Sequence, residues 1–366
     1  MPLRVLHVLS ELKPSGAETM LVAAAPLFQA AGIVLEVLST GAATGLYAKH
    51  FEAAGYQLHH LPFSRSPRFF SRVRRLMQAG QYDVIHLHIE AANFWYGLMA
   101  CSVRPPIVLR TIHNAFAFTG NLRWRRGMQR RLLHWLGVRH VSISASVRDT
   151  ELQHYRLPTT LIWNWYDSLR FAATSPEARA FARERLGFDQ HDFVIASIGN
   201  CSKVKNHTAI IEALALLPAE ERPVYLHAGI EESGQPERLL AKNLGVSEYT
   251  RFLGGLDDVL PLLQAADAFI MPSLYEGFGI SAIEALATGL PALFTDCPGL
   301  RDLREQFPSL IYTQADARSV AKGLQQLISM AESERAAILT NYPQTTLKLF
   351  GVKRGVKEYL DLYHNA

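Results

Sequence analysis

Ala268-Phe-Ile-Met-Pro-Ser-Leu-Tyr-Glu276-Gly-Phe-Gly279-Ile-Ser-Ala-Ile-Glu284-Ala-Leu-Ala-Thr-Gly289-Leu-Pro-Ala-Leu-Phe-Thr295 reads as strand, turn, helix and strand. The apolar run Ala268–Pro272 stops at a proline, two glycines mark a turn, a helix starts near Gly279, and a second apolar run covers Pro291–Thr295. Strands joined through a helix run parallel, because a parallel connection needs a long crossover. The turn sets the amides of Phe278, Gly279 and Ile280 at a helix N-terminus, an anion site suited to a diphosphate. Gly277 and Gly279 let the backbone approach a ligand closely. Glu276 stands just before the helix, and Glu284 lies five residues beyond Gly279, about 7.5 Å along the axis. Two carboxylates flanking such a site can accept hydrogen bonds from hydroxyls. The same stretch also fits an ordinary βα unit, with Glu276 as a helix-start charge and Glu284 on a solvated face.

Working outward, the alternation fills the chain. Strands are predicted at Leu3–Ser10, Val34–Thr40, Gln57–Pro62, Asp83–His88, Ile107–His113, His140–Ser144 and Thr160–Asn164. A second series covers Phe193–Gly199, Val224–Gly229, Thr250–Leu253, Ala268–Pro272, Pro291–Thr295 and Leu310–Tyr312. Two α/β domains are therefore expected, 1–165 and 166–348, with a terminal helix over 349–366 that could pack back on the first domain. Ala317–His364 reads as helical, with an interruption expected at Tyr342-Pro343, where proline lacks the N–H. In open parallel sheets ligands bind beyond the carboxyl ends of the strands, so the residues just after strands are the ones to inspect.

The 366 residues are 49% hydrophobic and 19% charged, a composition for packed cores rather than disorder. No cationic cluster precedes the first apolar run, and no apolar stretch approaches the roughly 20 residues of a membrane span, so a cytoplasmic protein is expected. Cys101, Cys201 and Cys297 have no paired spacing, which supports neither disulfides nor a zinc site. The net charge of +4 hides an asymmetry: residues 1–165 hold 18 basic and 8 acidic residues, the remainder 19 and 25. The two halves are expected to meet different partners.

The wording of Glu276-Gly-Phe-Gly279…Glu284-Ala-Leu-Ala-Thr-Gly289-Leu-Pro291 resembles family 4 of the retaining GT-B glycosyltransferases, whose two glutamates are separated by seven residues. Further landmarks extend the resemblance over most of the chain. Ser15-Gly16-Ala17-Glu18 looks like the family's Gly-Gly-Ala-Glu turn, in which the Gly16 amide would approach donor phosphates. Asp83-Val-Ile-His-Leu-His88 and Thr111-Ile-His113 resemble two family strands, the second ending in a histidine that lines the sugar site. Ile198-Gly199-Asn200-Cys-Ser-Lys203-Val-Lys205-Asn206 resembles the loop whose basic pair grips the diphosphate. Lys205 holds the lysine position; Asn200 stands where the family usually has arginine, and Lys203 could compensate. Asn164-Trp165-Tyr166-Asp167 departs from the family's Asn-Gly-(Val/Ile)-Asp, and bulky Trp165 is expected to reshape the acceptor side.

The resemblance implies two Rossmann-like domains facing across a cleft. It also implies transfer of a sugar from a nucleoside diphosphate, uridine foremost, with retention at the anomeric carbon. Glu276 would orient the sugar, Glu284 the ribose, and His113 the primary hydroxyl region, with no covalent nucleophile. Cofactors are expected to be none: Asp-x-Asp is absent from the chain, so no metal is required. A glycosidase would use the two glutamates as paired carboxylates but leaves the phosphate loops idle. A sugar-nucleotide epimerase of the same architecture and a catalytically weak nucleotide-sugar-binding homologue remain alternatives, whereas a dehydrogenase lacks its G-x-G-x-x-G. Two arginine-rich helical segments bear on the acceptor. One opens at Pro67 and carries Arg68, Arg72 and Arg75. The other, Leu122–Leu136, stripes Trp124, Met128, Leu132 and Trp135 beside Arg123, Arg126 and Arg130. Each is either a surface helix with its apolar side in the core or an interfacial helix on an anionic membrane. The expected partners are a nucleotide sugar, a glycan or lipid-linked acceptor of envelope polysaccharide, and the inner membrane face peripherally, with no nucleic acid.

Overall fold

The computed structural model describes residues 2–115 and 117–364. The chain forms two compact units, Met1–Trp165 with Val352–Ala366, and Tyr166–Gly351. The first holds seven strands: β1 (Leu3–Leu9), β2 (Ile33–Ser39), β3 (Gln57–His60), β4 (Val84–Leu87), β5 (Ile107–Ile112), β6 (Arg139–Ser142) and β7 (Thr160–Leu161). They form one parallel sheet in the order β3-β2-β1-β4-β5-β6-β7. The second unit holds β8 (Val194–Ile198), β9 (Val224–Ala228), β10 (Thr250–Phe252), β11 (Ala268–Met271), β12 (Ala292–Thr295) and β13 (Ile311–Thr313), also parallel, in the order β10-β9-β8-β11-β12-β13. Strands buried on both faces need continuous apolar runs, and β4, β11 and β12 are buried at every position. Each sheet reverses direction beside its first strand, between β1 and β4 and between β8 and β11, the topological switch points where such sheets bind ligands. Among the described residues no helix is long and apolar enough to cross a membrane.

The C-terminal region departs from expectation at Pro343. Helices run over Ala317–Ile328, Glu332–Phe350 and Val352–His364, so the break falls at 329–331 and the proline lies inside a continuous helix. Ile338, Tyr342, Thr346 and Phe350 are buried at four-residue spacing on both sides of Pro343. The Tyr342 ring packs edge-on against Phe307 at 5.0 Å, and the Thr346 hydroxyl donates to the Tyr342 carbonyl at 2.7 Å. Packing of that stripe outweighs the missing amide. The terminal helix thus begins at Val352, after Gly351, and belongs with the first unit.

Trp165 does not reshape an acceptor side; it is core. Its ring is 1% exposed, its Nε1–H donates to the Met20 carbonyl at 2.9 Å, and Tyr359 meets it edge-on at 5.6 Å. The terminal helix approaches it through Gly355, where an added Cβ would stand 2.1 Å from the Trp165 ring. An alanine inside a helix is favoured over glycine by about 1 kcal/mol, whereas overpacking a filled core costs about 1–3 kcal/mol. Overlap at that distance against a pinned ring puts the balance on the destabilising side. Gly355→Ala is expected to lower the urea midpoint of the first unit; a raised midpoint would show that Trp165 is free to move.

Candidate functional site

In the second unit the chemistry gathers at the carboxyl ends of β8 and β11, neighbours across the switch point. The loop after β8 carries Asn200, Lys203 and Lys205; the turn after β11 carries Ser273 and Glu276. Lys205 Nζ pairs with Glu276 Oε1 at 2.7 Å, and the Ser273 hydroxyl donates to the same oxygen at 2.7 Å. Glu276 is 8% exposed, so its charge depends on these two partners. Main-chain and side-chain hydrogen bonds hold the two segments together. Leu274 N–H donates to the Val204 carbonyl at 2.8 Å, and the Asn206 side-chain amide, on a backbone with φ +55°, donates to the Pro272 and Ala315 carbonyls at 3.1 and 3.2 Å. From the other side Glu276 N–H donates to the Pro298 carbonyl at 3.2 Å, and a Cβ on Gly299 would lie 2.7 Å from the Glu276 carbonyl oxygen. Asn206, Ser273 and Gly299 were not predicted as site residues; only the Pro298-Gly299 turn signal marks one of them in the sequence.

The helix after this turn is Ile280–Ala287, entered through Gly279 at φ +86°. A Cβ there would meet the Leu300 side chain at 2.9 Å in a backbone region that glycine tolerates best. The first amides of the helix have no acceptor inside it. The Phe278 ring, buried against Phe350 at 5.2 Å, seats the turn. Glu284 is half-buried, and burial pushes its carboxyl up to about 7; Arg170 pulls it down and Asp167 raises it further. Asn200 is exposed, and its side-chain oxygen accepts from Ile230 N–H at 2.9 Å, a task of loop closure that leaves the arginine-like role unfilled. Lys203 is exposed.

In the first unit Gly16 starts the helix Gly16–Ala30 just after β1, and is exposed. Behind it one face of the sheet collects histidines. Parallel register sets His7 beside His86, and alternation brings His88, Thr111 and His113 to the same face. His7 Nδ1 and His88 Nε2 are hydrogen-bonded at 3.0 Å, and His88 Nδ1 and His113 Nε2 at 3.1 Å. His86 bonds the Tyr363 hydroxyl at 2.8 Å and Thr111 Oγ1 at 2.7 Å. Burial keeps all four neutral: His7 falls to about 3, His113 to about 4, and His86 and His88 lie well below the usual histidine range.

Two family models divide the chain between them. Residues 14–170 match Glycosyltransferase Family 4, and residues 178–343 match Glycosyl transferases group 1. The chain belongs to the family 4 glycosyltransferases. This glycosyltransferase is 26% identical to EpsD of Bacillus subtilis, a protein named as a glycosyltransferase, over 87% of this chain and 91% of the other. It is 28% identical to a D-inositol 3-phosphate glycosyltransferase of Corynebacterium urealyticum, over 78% and 72%. Its fold is GT-B, shared with a Rickettsia africae glycosyltransferase (TM-score 0.84, 19% identity, 100% and 99% of the two chains). Anabaena HepE, solved with UDP and glucose, is likewise similar (TM-score 0.83, 19% identity, 99% of each chain).

The arginine-rich segments of the glycosyltransferase differ from each other. The helix Pro67–Gly80 buries Phe69, Val73 and Met77 and leaves Arg68 and Arg72 in water, the ordinary surface arrangement. The helix Gly120–Trp135 is inverted: Trp124 is 67% exposed and Trp135 80%, with Met128 and Leu132 exposed between them. Arg130, expected on the outer row, is instead 3% exposed; it pairs with Glu151 at 2.8 Å and Glu90 at 3.2 Å, and lies over the Tyr155 ring at 4.3 Å. Arg126 is half-buried above Phe118, and Arg123, exposed, donates to the His154 carbonyl at 3.3 Å. Arg125 and Arg131, not singled out from the sequence, are exposed in its place. Buried Glu151 relies on Arg130, and removing one partner of a buried pair costs about 3–5 kcal/mol. Arg130→Met is therefore expected to destabilise the first unit by about that much, and Arg125→Met by under about 0.5 kcal/mol, as surface changes do. Equal denaturation midpoints for the two variants would contradict the placement.

Proposed function

We propose that this glycosyltransferase moves a sugar from a nucleoside diphosphate, a uridine nucleotide foremost, to a glycan or lipid-linked acceptor in envelope polysaccharide biosynthesis. Transfer proceeds with retention and without a metal. The observation that carries this is the Lys205–Glu276 pair at 2.7 Å beside the helix start at Gly279. An ammonium for phosphate, a carboxylate for sugar hydroxyls and a set of helix-end amides stand together there. The Anabaena neighbour has also been solved with UDP-glucose, which agrees with a uridine donor.

In this scheme Lys205, Lys203, the Gly16 amide and the amides at Gly279 and Ile280 stabilise charge on the leaving diphosphate as the anomeric C–O bond stretches. The acceptor hydroxyl attacks from the leaving-group face, its oxygen bonds to the anomeric carbon, and its proton passes to the departing phosphate oxygen. Glu276 orients the sugar, His113 meets its primary hydroxyl region, and Glu284 takes the ribose diol. Lys205→Ala is expected to weaken nucleotide diphosphate binding about 10–100-fold, the size of a lost charged hydrogen bond of about 1.5–3 kcal/mol. Glu276→Gln is expected to slow transfer by a similar factor, and wild-type activity is expected in EDTA. Unchanged turnover in Glu276→Gln, or a strict need for added metal, would refute the scheme. Glu284 adds a pH dependence. Burial pushes its carboxyl up to about 7, and the ionised form, with both oxygens free to accept, is the better acceptor for two ribose hydroxyls. Nucleotide affinity is expected to rise more steeply with pH around 7 in the wild type than in Glu284→Gln, the ligand phosphate titrating in both.

The membrane side of the proposal rests on the helix Gly120–Trp135. Its exposed face joins Trp124, Met128, Leu132 and Trp135 with Arg123, Arg125 and Arg131, and no acidic residue lies between 120 and 136. An apolar face rimmed by cations matches an anionic bilayer interface, where each basic residue is worth about 1 kcal/mol. Binding to phosphatidylglycerol vesicles at low salt is expected. Arg125 and Arg131 changed together to Glu should abolish it while sparing nucleotide binding. Failure of the wild type to co-sediment at low salt would leave the face without this role.

A further inference from the structure

The histidines of β1 and of the ends of β4 and β5 are ordered in a way that the transfer scheme does not use. His7 Nδ1, both nitrogens of His88, and His113 Nε2 form an unbroken hydrogen-bonded row, leaving one nitrogen at each end. At the inner end His7 is 0% exposed and its Nε2 has no hydrogen-bond partner among the described residues. At the outer end His113 is half-buried, and its Nδ1 is the nitrogen outside the row. Each neutral imidazole carries one N–H, so the row has two possible polarities. In one, His113 donates inward, His88 donates to His7, and the His7 N–H is stranded at Nε2. In the other, His7 donates to His88, His88 donates to His113, and only a lone pair is left at His7 Nε2. A buried N–H without an acceptor is the rarer and costlier defect, and an under-used acceptor is better tolerated.

We propose that His7 and His88 are positioning residues that lock His113 in a single neutral tautomer, with its Nδ1–H directed outward as a hydrogen-bond donor. Resting on the assignment of His113 to the donor sugar, this gives the site a fixed preference. The imidazole offers a proton and no lone pair, so it suits a sugar bearing an oxygen acceptor at the contacted position, a hydroxyl or a carboxylate, and rejects an ammonium. Depressed basicity throughout the row supports the neutral state: burial is the main cause in each ring, and the Glu90 carboxylate that raises His113 is opposed by Arg110.

Ring-nitrogen NMR on the full chain, labelled with 15N-histidine and free of donor, reads the tautomer directly. A spectrum of His113→Gln assigns the resonance. The expected result is Nδ1–H on His113, His88 and His7 at neutral pH. His88→Asn, whose amide nitrogen can take the place of Nδ1–H, is expected to preserve the His113 tautomer. His88→Phe, which removes the donor, is expected to return His113 to the Nε2–H form that a free imidazole favours. Nε2–H on His113 in the wild type would overturn the polarity, and Nδ1–H persisting in His88→Phe would overturn the role of His88. His7, His86 and His88 also lie close enough to share an ion, their candidate ligand atoms all within 4.8 Å of one another. Stoichiometric zinc in the purified protein, with shifted ring nitrogens on those three, would overturn the relay as well. The sugar-site assignment fails separately, through wild-type transfer rates in His113→Ala, so the two failures are distinguishable.

Discussion

A parallel sheet that grows outward on both sides of its first strand leaves one place where successive connections leave in opposite directions. The chain makes this choice twice, at β1 beside β4 and at β8 beside β11, and the proposed chemistry depends on it. Loops from neighbouring strands diverge there, and the backbone between them is held by hydrogen bonds rather than covered by a crossover helix. In the second unit this lets Lys205 and Glu276, 71 residues apart, meet at 2.7 Å. In the first it aligns His7, His86, His88 and His113 on one face, although they come from three strands. The histidines lie on strands or next to strand ends, where a side chain has little freedom to wander, and Lys205 and Glu276 are held by the hydrogen bonds between their loops.

The sheet and its strands were legible because buried parallel strands leave continuous apolar runs, and every predicted strand has an observed counterpart. The glutamates were legible through local wording, since the turn, the glycine and the helix start all lie within one short stretch. What stayed hidden was decided by distant partners. Pro343 looks like a helix end until Tyr342 and Phe350, on either side of it in the helix, are seen packing on Phe307. Trp165 looks like an intruder in a polar turn until Gly355 is seen making room for its ring. Arg130 falls in a cationic row by sequence, yet Glu90 and Glu151, 40 and 21 residues away, draw it inward.

That withdrawal of Arg130 changes what the helix Gly120–Trp135 presents. Once the arginine is consumed by internal carboxylates, the buried side of the helix is partly ionic and the outer side is aromatic. A helix with charge inside and tryptophan outside is costly in water, and large exposed apolar patches on soluble proteins mark surfaces that meet something else. The remaining outward arginines keep the patch soluble while biasing it toward anionic surroundings.

The Lys205–Glu276 pair has a consequence for the order of events at the site. The two charges are each other's counter-ion, so the pair is internally neutralised. A ligand that brings both phosphate and hydroxyls can replace both halves of that bond at once. A bare nucleotide diphosphate can replace only one: it draws the ammonium away and leaves a nearly enclosed carboxylate with Ser273 alone. Under the proposed scheme the spent nucleotide would be held against a restoring pull that the intact donor does not feel, and re-formation of the pair would help to expel it.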